Sequence, residues 1–175
     1  YSPLSSCGTC CRTSNKEAWR GTQIIRNEIK DKDGMYNNEL DILMNTFPNY
    51  LGTYSHDEIP YFKNEHFSCI INYHPSNKVG SHWIALYHHP NEKYIRFFDS
   101  YGIIMSDEIQ SKCRFINKKI QYSTHKIQNL NSSYCGLYCV YFLRQCYFGS
   151  NYFDIINTFE NNSSFDNDKL LATLL

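Results

Sequence analysis

A cysteine becomes a nucleophile when its surroundings favour the thiolate, and Cys135 stands where that can happen. Residues 133–148 are apolar on every face, including Leu137, Val140, Phe142, Leu143 and Phe148, which predicts a helix buried through the middle of a domain. A helix that begins near Ser133 places Cys135 in its first turn, where unpaired backbone N–H groups and the positive end of the helix dipole face the thiol. Gly136, directly after it, leaves space for a substrate backbone. The same position suits one more buried core thiol, the reading expected of Cys139 one turn on. Position alone leaves both open.

A nucleophilic thiolate needs a general base, and the base needs a group to orient it. Of the seven histidines, His82 follows Gly80-Ser81 at the start of an apolar segment, where a side chain can project from a sheet end into a cleft. Trp83 beside it can wall off water. His56, His66, His88 and His89 read as solvated or core residues. Asp99 ends the next apolar segment, and if the two segments pair as a hairpin, the acid at the end of one lies beside the start of the other. The alternative for Asp99 is an ordinary turn residue before Gly102. Acyl transfer also requires donors for an oxyanion, and Gln128, seven residues before Cys135, can supply a side-chain amide beside the nucleophile's own N–H.

The elements that must position these groups follow from periodicity and punctuation. A helix is expected over 16–29, with Gly34 ending it, and a second helix capped by Asn37 or Asn38 runs through Leu40, Leu43 and Phe47 to a stop at Pro48. After Pro48, short apolar runs separated by Gly, Pro, Asn and Asp predict strands over 67–73, 82–88 and 93–99, the last two joined by the turn His89-Pro90-Asn91-Glu92. A helix over 107–115, a strand over 119–127, the buried helix over 133–148, and helices over 152–159 and 166–175 complete the chain. The order predicts an α+β domain with a central, mostly antiparallel sheet. Residues 1–35 form an N-terminal arm and helix, and residues 36–175 the main domain, in one compact unit.

Composition bounds the function. The chain has 175 residues, 17 basic against 17 acidic, 42% hydrophobic and 16% aromatic. That is the profile of one folded domain rather than a disordered tail, and a zero net charge argues against a wholesale polyanion binder. Asp and Glu are nevertheless absent from residues 109–153, which hold Lys112, Arg114, Lys118, Lys119, Lys126 and Arg144. This is a candidate phosphate-binding face, or equally a solvated face balanced by acids elsewhere. No apolar run reaches the ~18 residues of a membrane span, and no basic segment followed by an apolar stretch marks a signal peptide. Neither a membrane nor a secretory role is expected. The eight cysteines read mostly as buried thiols of a reducing compartment. Cys7-Gly-Thr-Cys10 and Cys11 lack a second ligand pair for zinc and a preceding strand for redox chemistry, so they read as a surface tail, and no metal is expected.

Three blocks together resemble the active-site segments of the adenovirus-type maturation cysteine proteases, the adenain family: Gly80-Ser81-His82-Trp83, the run from Phe97 through Asp99-Ser100-Tyr101 to Gly102, and the run from Gln128 through Tyr134-Cys135-Gly136 to Leu137. The seventeen-residue separation of His82 and Asp99 and the seven-residue separation of Gln128 and Cys135 are those of the family, and Tyr50-Leu51-Gly52-Thr53-Tyr54 resembles its N-terminal segment. The resemblance implies an Ulp-like relative of the papain architecture, with Cys135 as nucleophile, His82 as general base and acid, Asp99 orienting the imidazole and Gln128 in the oxyanion hole. It implies a thiol endopeptidase that cleaves capsid or core precursor proteins at Gly-containing sites during virion maturation. The enzyme is expected to be a monomer in the virion and the infected-cell interior. The frequency of Asn, Ile, Tyr and Phe, residues of A/T-rich codons, suits a large DNA virus, a virophage or a related element.

The chain also departs from the pattern. Adenoviral enzymes mostly place Glu at the position of Asp99, whereas Asp is used by the SUMO-deconjugating Ulp proteases. A ubiquitin-like-protein protease is therefore the alternative, and a non-catalytic binding module on the same fold is the third reading. Tyr134 before the nucleophile, where Ulp enzymes carry Asp, favours the viral branch. No cofactor is needed for the chemistry. The family is activated by a viral peptide that forms a disulfide, and by DNA; here the nearest thiol, Cys113, is four residues from the expected position, which Asn117 occupies, so Cys113 is expected to be structural.

Overall fold

The computed structural model describes residues 34–78 and 82–175. The expected arm and helix within residues 1–33, with Cys7, Cys10 and Cys11, and the pair Gly80-Ser81 lie outside the described residues. In chain order the elements are α1 (Asn37–Met44), β1 (Tyr50–Ser55), a 3-10 turn (His56–Glu58), β2 (Phe67–Asn72), β3 (Trp83–His88), β4 (Tyr94–Phe98), α2 (Asp107–Lys112), β5 (Lys119–Gln121), α3 (Cys135–Tyr147), α4 (Tyr152–Glu160) and α5 (Ser164–Leu174).

The strands form one five-stranded sheet in the order β1-β2-β3-β4-β5. Its centre is antiparallel, as expected, β2 with β3 and β3 with β4, while each edge pair, β1 with β2 and β4 with β5, is parallel. Every residue of β2 and β3 is buried, because the sheet is covered on both faces. Alternation along the strands sorts the core accordingly. Ile70, Trp83, Ala85, Tyr87 and Phe98 face the helices α1, α3, α4 and α5. Cys69, Ile71, Ile84, Leu86, Ile95 and Phe97 face Ile109 and Cys113 of the α2 region, together with Ile59 and Phe62.

Helix α3 is the central beam. Tyr138, Cys139, Val140, Phe142 and Leu143 have no exposed surface, and Phe142 stacks on Phe98 of β4 with ring centroids 4.7 Å apart. The five described cysteines, Cys69, Cys113, Cys135, Cys139 and Cys146, are all free and buried, as expected.

Four local readings are corrected. Helix α1 is capped by Tyr36 rather than Asn37 or Asn38, because the Glu39 carboxylate turns back to accept the Tyr36 N–H at 2.9 Å. The same helix ends at Met44 rather than Phe47, since the chain turns there and Asn49 takes a positive φ of 63°. Helix α2 stops at Lys112, short of Phe115. The strand expected over 119–127 pairs only over Lys119–Gln121, and the later N–H groups of Ile127 and Gln128 instead donate to the Ser100 carbonyl at 3.0 and 3.1 Å. Strand β1 was not predicted from periodicity at all.

Candidate active site

The central hairpin brings two polar residues together at one sheet end. Its turn closes with the Glu92 N–H donating to the His89 carbonyl at 2.9 Å, and the register pairs Ala85 with Phe98 and Tyr87 with Arg96. In that antiparallel register the residue just before β3, His82, and the residue just after β4, Asp99, are neighbours. Cys135 is the first residue of α3, whose length packs on β3, so the thiol meets the same sheet end. Each side chain is placed by the end of a rigid element rather than by a loop.

His82 Nε2 lies 3.0 Å from Asp99 Oδ1, and the carboxylate is fully buried. Asp99 Oδ1 also accepts the Tyr101 N–H at 2.7 Å, which fixes the carboxyl relative to its own turn. Burial disfavours the imidazolium, but the hydrogen bond and charge of Asp99, with hydrogen bonding and charge from Cys135, more than offset this and raise the His82 pKa to about 9. With Nε2 turned to the carboxylate, Nδ1 remains for the thiol; it is buried and, among the described residues, makes no hydrogen bond. The Tyr101 ring lies over the imidazole, centroids 4.6 Å apart and planes 24° from parallel.

Gln128 is fully buried beside this group. Its Oε1 accepts from Ser100 Oγ at 2.6 Å, and its Nε2 donates to the Ser132 carbonyl at 2.9 Å, to Ser132 Oγ at 3.2 Å and to the Tyr101 hydroxyl at 3.3 Å. The carbonyl acceptor at Ser132 fixes which end of the amide carries the N–H groups. Asn167 of α5 donates to the Ile127 carbonyl at 3.0 Å and so ties the C-terminal helix to this segment. Ser100, Tyr101, Ser132 and Asn167 had no role assigned from the sequence. The adjacency of Ser100 and Tyr101 to Asp99 was a usable signal; Asn167, on a distant helix, offered none.

Trp83 and Gly136 have a different relation to the site from the one expected. The Trp83 indole N–H donates to the Met35 carbonyl at 3.1 Å, and the ring is buried under the first turn of α3. A Cβ on Gly136 would lie 3.1 Å from Leu40, 3.3 Å from Trp83 and 3.4 Å from Met35. The glycine therefore serves close packing of the helix that begins at Cys135 against α1 and Trp83, and the space beside it is filled by protein rather than left for a substrate. His88 is a core residue with Nδ1 2.6 Å from the Glu65 carbonyl, and His56 pairs with Glu108 at 3.4 Å. Cys113 is buried and its thiol is pushed up to about 12 by desolvation, the environment of a structural thiol.

The basic stretch separates into groups. Arg114, Lys118 and Lys119 line a groove of about 590 Å³ between α2 and β5, along with Ile104, Ile120 and Tyr122. Lys112 and Arg114 both stand over the Tyr61 ring, at 4.6 and 4.5 Å. Lys118 donates to the carbonyls of His89 and Pro90 at 3.1 and 2.6 Å. Lys126 and Arg144 are not in the groove lining; Arg144 lies on α3 over Phe47. Among the described residues no cluster of His, Cys, Asp and Glu could hold a metal, and no helix is long and apolar enough to cross a membrane.

No family model matches the chain. It is similar to the protease of Bovine adenovirus 2, 31% identical over 112 residues, 55% of this chain and 54% of the relative. It is similar also to the protease of Porcine adenovirus A serotype 3, 29% identical over 117 residues and 55% of each chain. The chain thus spans about half the length of the curated relatives it matches. In three dimensions it is similar to the ASFV pS273R protease, with a TM-score of 0.60 and 14% identity over 83% of this chain and 68% of the other. The resemblance to adenovirus proteases is borne out in sequence, and the fold is the expected α+β arrangement, similar to that of the ASFV pS273R protease.

Proposed function

We propose that the chain is a cysteine endopeptidase that cleaves viral capsid or core precursor proteins at Gly-containing sites, within the virion and the infected cell. The observation that carries this reading is the convergence of Cys135, His82 and Asp99 at one sheet end, with a buried amide from Gln128 alongside. The names of the adenovirus relatives support the viral branch over a ubiquitin-like-protein protease.

The geometry supports the following cycle. The imidazolium of His82 stabilises the Cys135 thiolate beside it. The sulfur attacks the scissile carbonyl, and the oxyanion is met by the Gln128 amide and the Cys135 backbone N–H. His82 gives its proton to the leaving amine, and the acyl group remains on sulfur as a thioester. Water then attacks, its proton passing to His82, and the acid leaves as the thiolate re-forms. Asp99 holds the ring and balances its charge throughout.

Two experiments test the reading. Cys135→Ala and His82→Ala should each lower hydrolysis of a Gly-containing peptide by at least about a thousandfold, judged by the losses typical of removing members of such a triad. Undiminished hydrolysis in either variant would overturn the assignment and leave a binding module. A panel that sets Gly-rich capsid-type peptides against SUMO and ubiquitin C-terminal reporters decides the substrate class. Turnover confined to the reporters transfers the chain to the deconjugating enzymes.

A further inference from the structure

Tyr101 touches both halves of the site, and only its ring is accounted for by the packing. The ring lies on His82, and the Tyr101 N–H is anchored on Asp99, so the hydroxyl is held in place by a residue already fixed at two points. That hydroxyl accepts from Gln128 Nε2 at 3.3 Å, which leaves its own proton to give, and among the described residues no acceptor takes it. Of the two amide hydrogens on Gln128, one is committed to the Ser132 carbonyl at 2.9 Å. The other is shared between two longer contacts, to Ser132 Oγ and to Tyr101. The Tyr101 O–H is therefore uncommitted, and the second amide hydrogen is held only by the two longer contacts, in the place where the amide is expected to meet a developing oxyanion.

We propose that the Tyr101 hydroxyl is a further catalytic donor that hydrogen-bonds the oxyanion alongside the Gln128 amide; this rests on the cysteine-peptidase reading above. In the resting enzyme the phenol oxygen receives the amide hydrogen. When sulfur adds to the carbonyl, the new oxyanion accepts from Gln128 Nε2 and from the Tyr101 O–H at once, with no proton transferred from either. The two donors are braced together, because Ser100 Oγ holds the other end of the same amide. Desolvation, with the negative charges of Cys135, Asp168 and Asp99, raises the phenol pKa, which keeps the group a neutral donor.

The test separates the hydroxyl from the ring. Tyr101→Phe keeps the stack on His82 and removes only the donor, whereas Tyr101→Leu removes both. The readouts are kcat and KM for an Ala-Leu-Gly-Gly aminomethylcoumarin peptide, inhibition by the matching peptide aldehyde, whose hemithioacetal oxygen fills the oxyanion position, and the rate of Cys135 alkylation by iodoacetamide, which needs no oxyanion hole. The expected result for Tyr101→Phe is a kcat lower by about ten- to a hundredfold, KM within about twofold, aldehyde inhibition weakened by a similar factor, and an unchanged alkylation rate. Tyr101→Leu should in addition slow alkylation. A wild-type kcat in Tyr101→Phe overturns the proposal, and so does a loss of alkylation equal to the loss of kcat, which would make Tyr101 a positioning residue for His82. Failure of the underlying reading has its own signature: wild-type protein and Cys135→Ala turning over the peptide at the same rate, which overturns both.

Discussion

His82 joins the chemistry of the site to its stability. Its pKa in the fold, about 9, lies above the ordinary histidine value of 6.5. A group whose pKa rises on folding binds its proton more tightly in the native state, so its contribution is fully present below about pH 6.5 and fades as pH climbs through about 9. Asp99 supplies most of that rise, against the opposing effect of burial. Asp99→Asn should therefore flatten this part of the stability profile, which urea denaturation between pH 6 and pH 9.5 measures. Equal losses of stability in the variant and the wild type across that interval would place the titrating charge elsewhere. At this scale the sequence is informative where chemistry is written locally: a thiol at a helix start, a histidine before a strand, an acid after one. It is silent on Gly136, whose neighbours Leu40, Trp83 and Met35 come from distant segments and turn an expected substrate space into a packing contact.

The elements place these residues through their ends, and the turn after β4 is the most demanding of those ends. Gly102 donates its N–H to the Asp99 carbonyl at 3.0 Å and has φ +72°, a region that L side chains rarely adopt. A Cβ there would stand 2.4 Å from the Thr124 carbonyl oxygen, and backbone cannot step aside as a flexible side chain can. Gly102→Ala should cost at least about 2 kcal/mol in denaturant midpoint experiments and should reduce peptide turnover further, because Asp99, Ser100 and Tyr101 share the displaced turn. A variant of native stability and activity would show that residues 122–126 yield easily. The same scale marks where periodicity was enough and where it was not. Strands β2, β3 and β4 and helix α3 carry apolar runs that identify themselves. Strand β1, with Gly52, Thr53 and Ser55 and mostly half-buried side chains, has no such run, and it is a strand because β2 offers it a parallel partner. Strand β5 is short because the chain leaves the sheet after Gln121, and Ile127 and Gln128 bond to the Ser100 carbonyl instead.

Across the whole molecule, zero net charge conceals a local concentration of cations, and the fold determines how many can act together. Six basic residues fall in the acid-free span of residues 109–153, but they do not make one face. Arg114, Lys118 and Lys119 border the groove between α2 and β5, and Lys112 joins Arg114 at Tyr61. The Lys118 ammonium is turned to the carbonyls of His89 and Pro90, and Arg144 lies far along the chain on α3 over Phe47, half-buried, with desolvation lowering its pKa. With Lys126 outside the groove lining as well, three cations, Lys112, Arg114 and Lys119, are left to meet phosphates from one side. Each phosphate neutralised releases close to one counterion, so the logarithm of duplex affinity should fall against the logarithm of salt concentration with a slope of about −3. Fluorescence anisotropy of a labelled duplex between 50 and 200 mM salt measures this, and Lys119→Ala should make the slope shallower by about one. A slope near −5 would mean that Lys118, Lys126 and Arg144 bind as well and that the charge asymmetry of the sequence acts as a single surface. A slope near zero, with turnover unaffected by nuclease at low salt, would assign the cations to solvation and to the aromatic rings on which two of them rest.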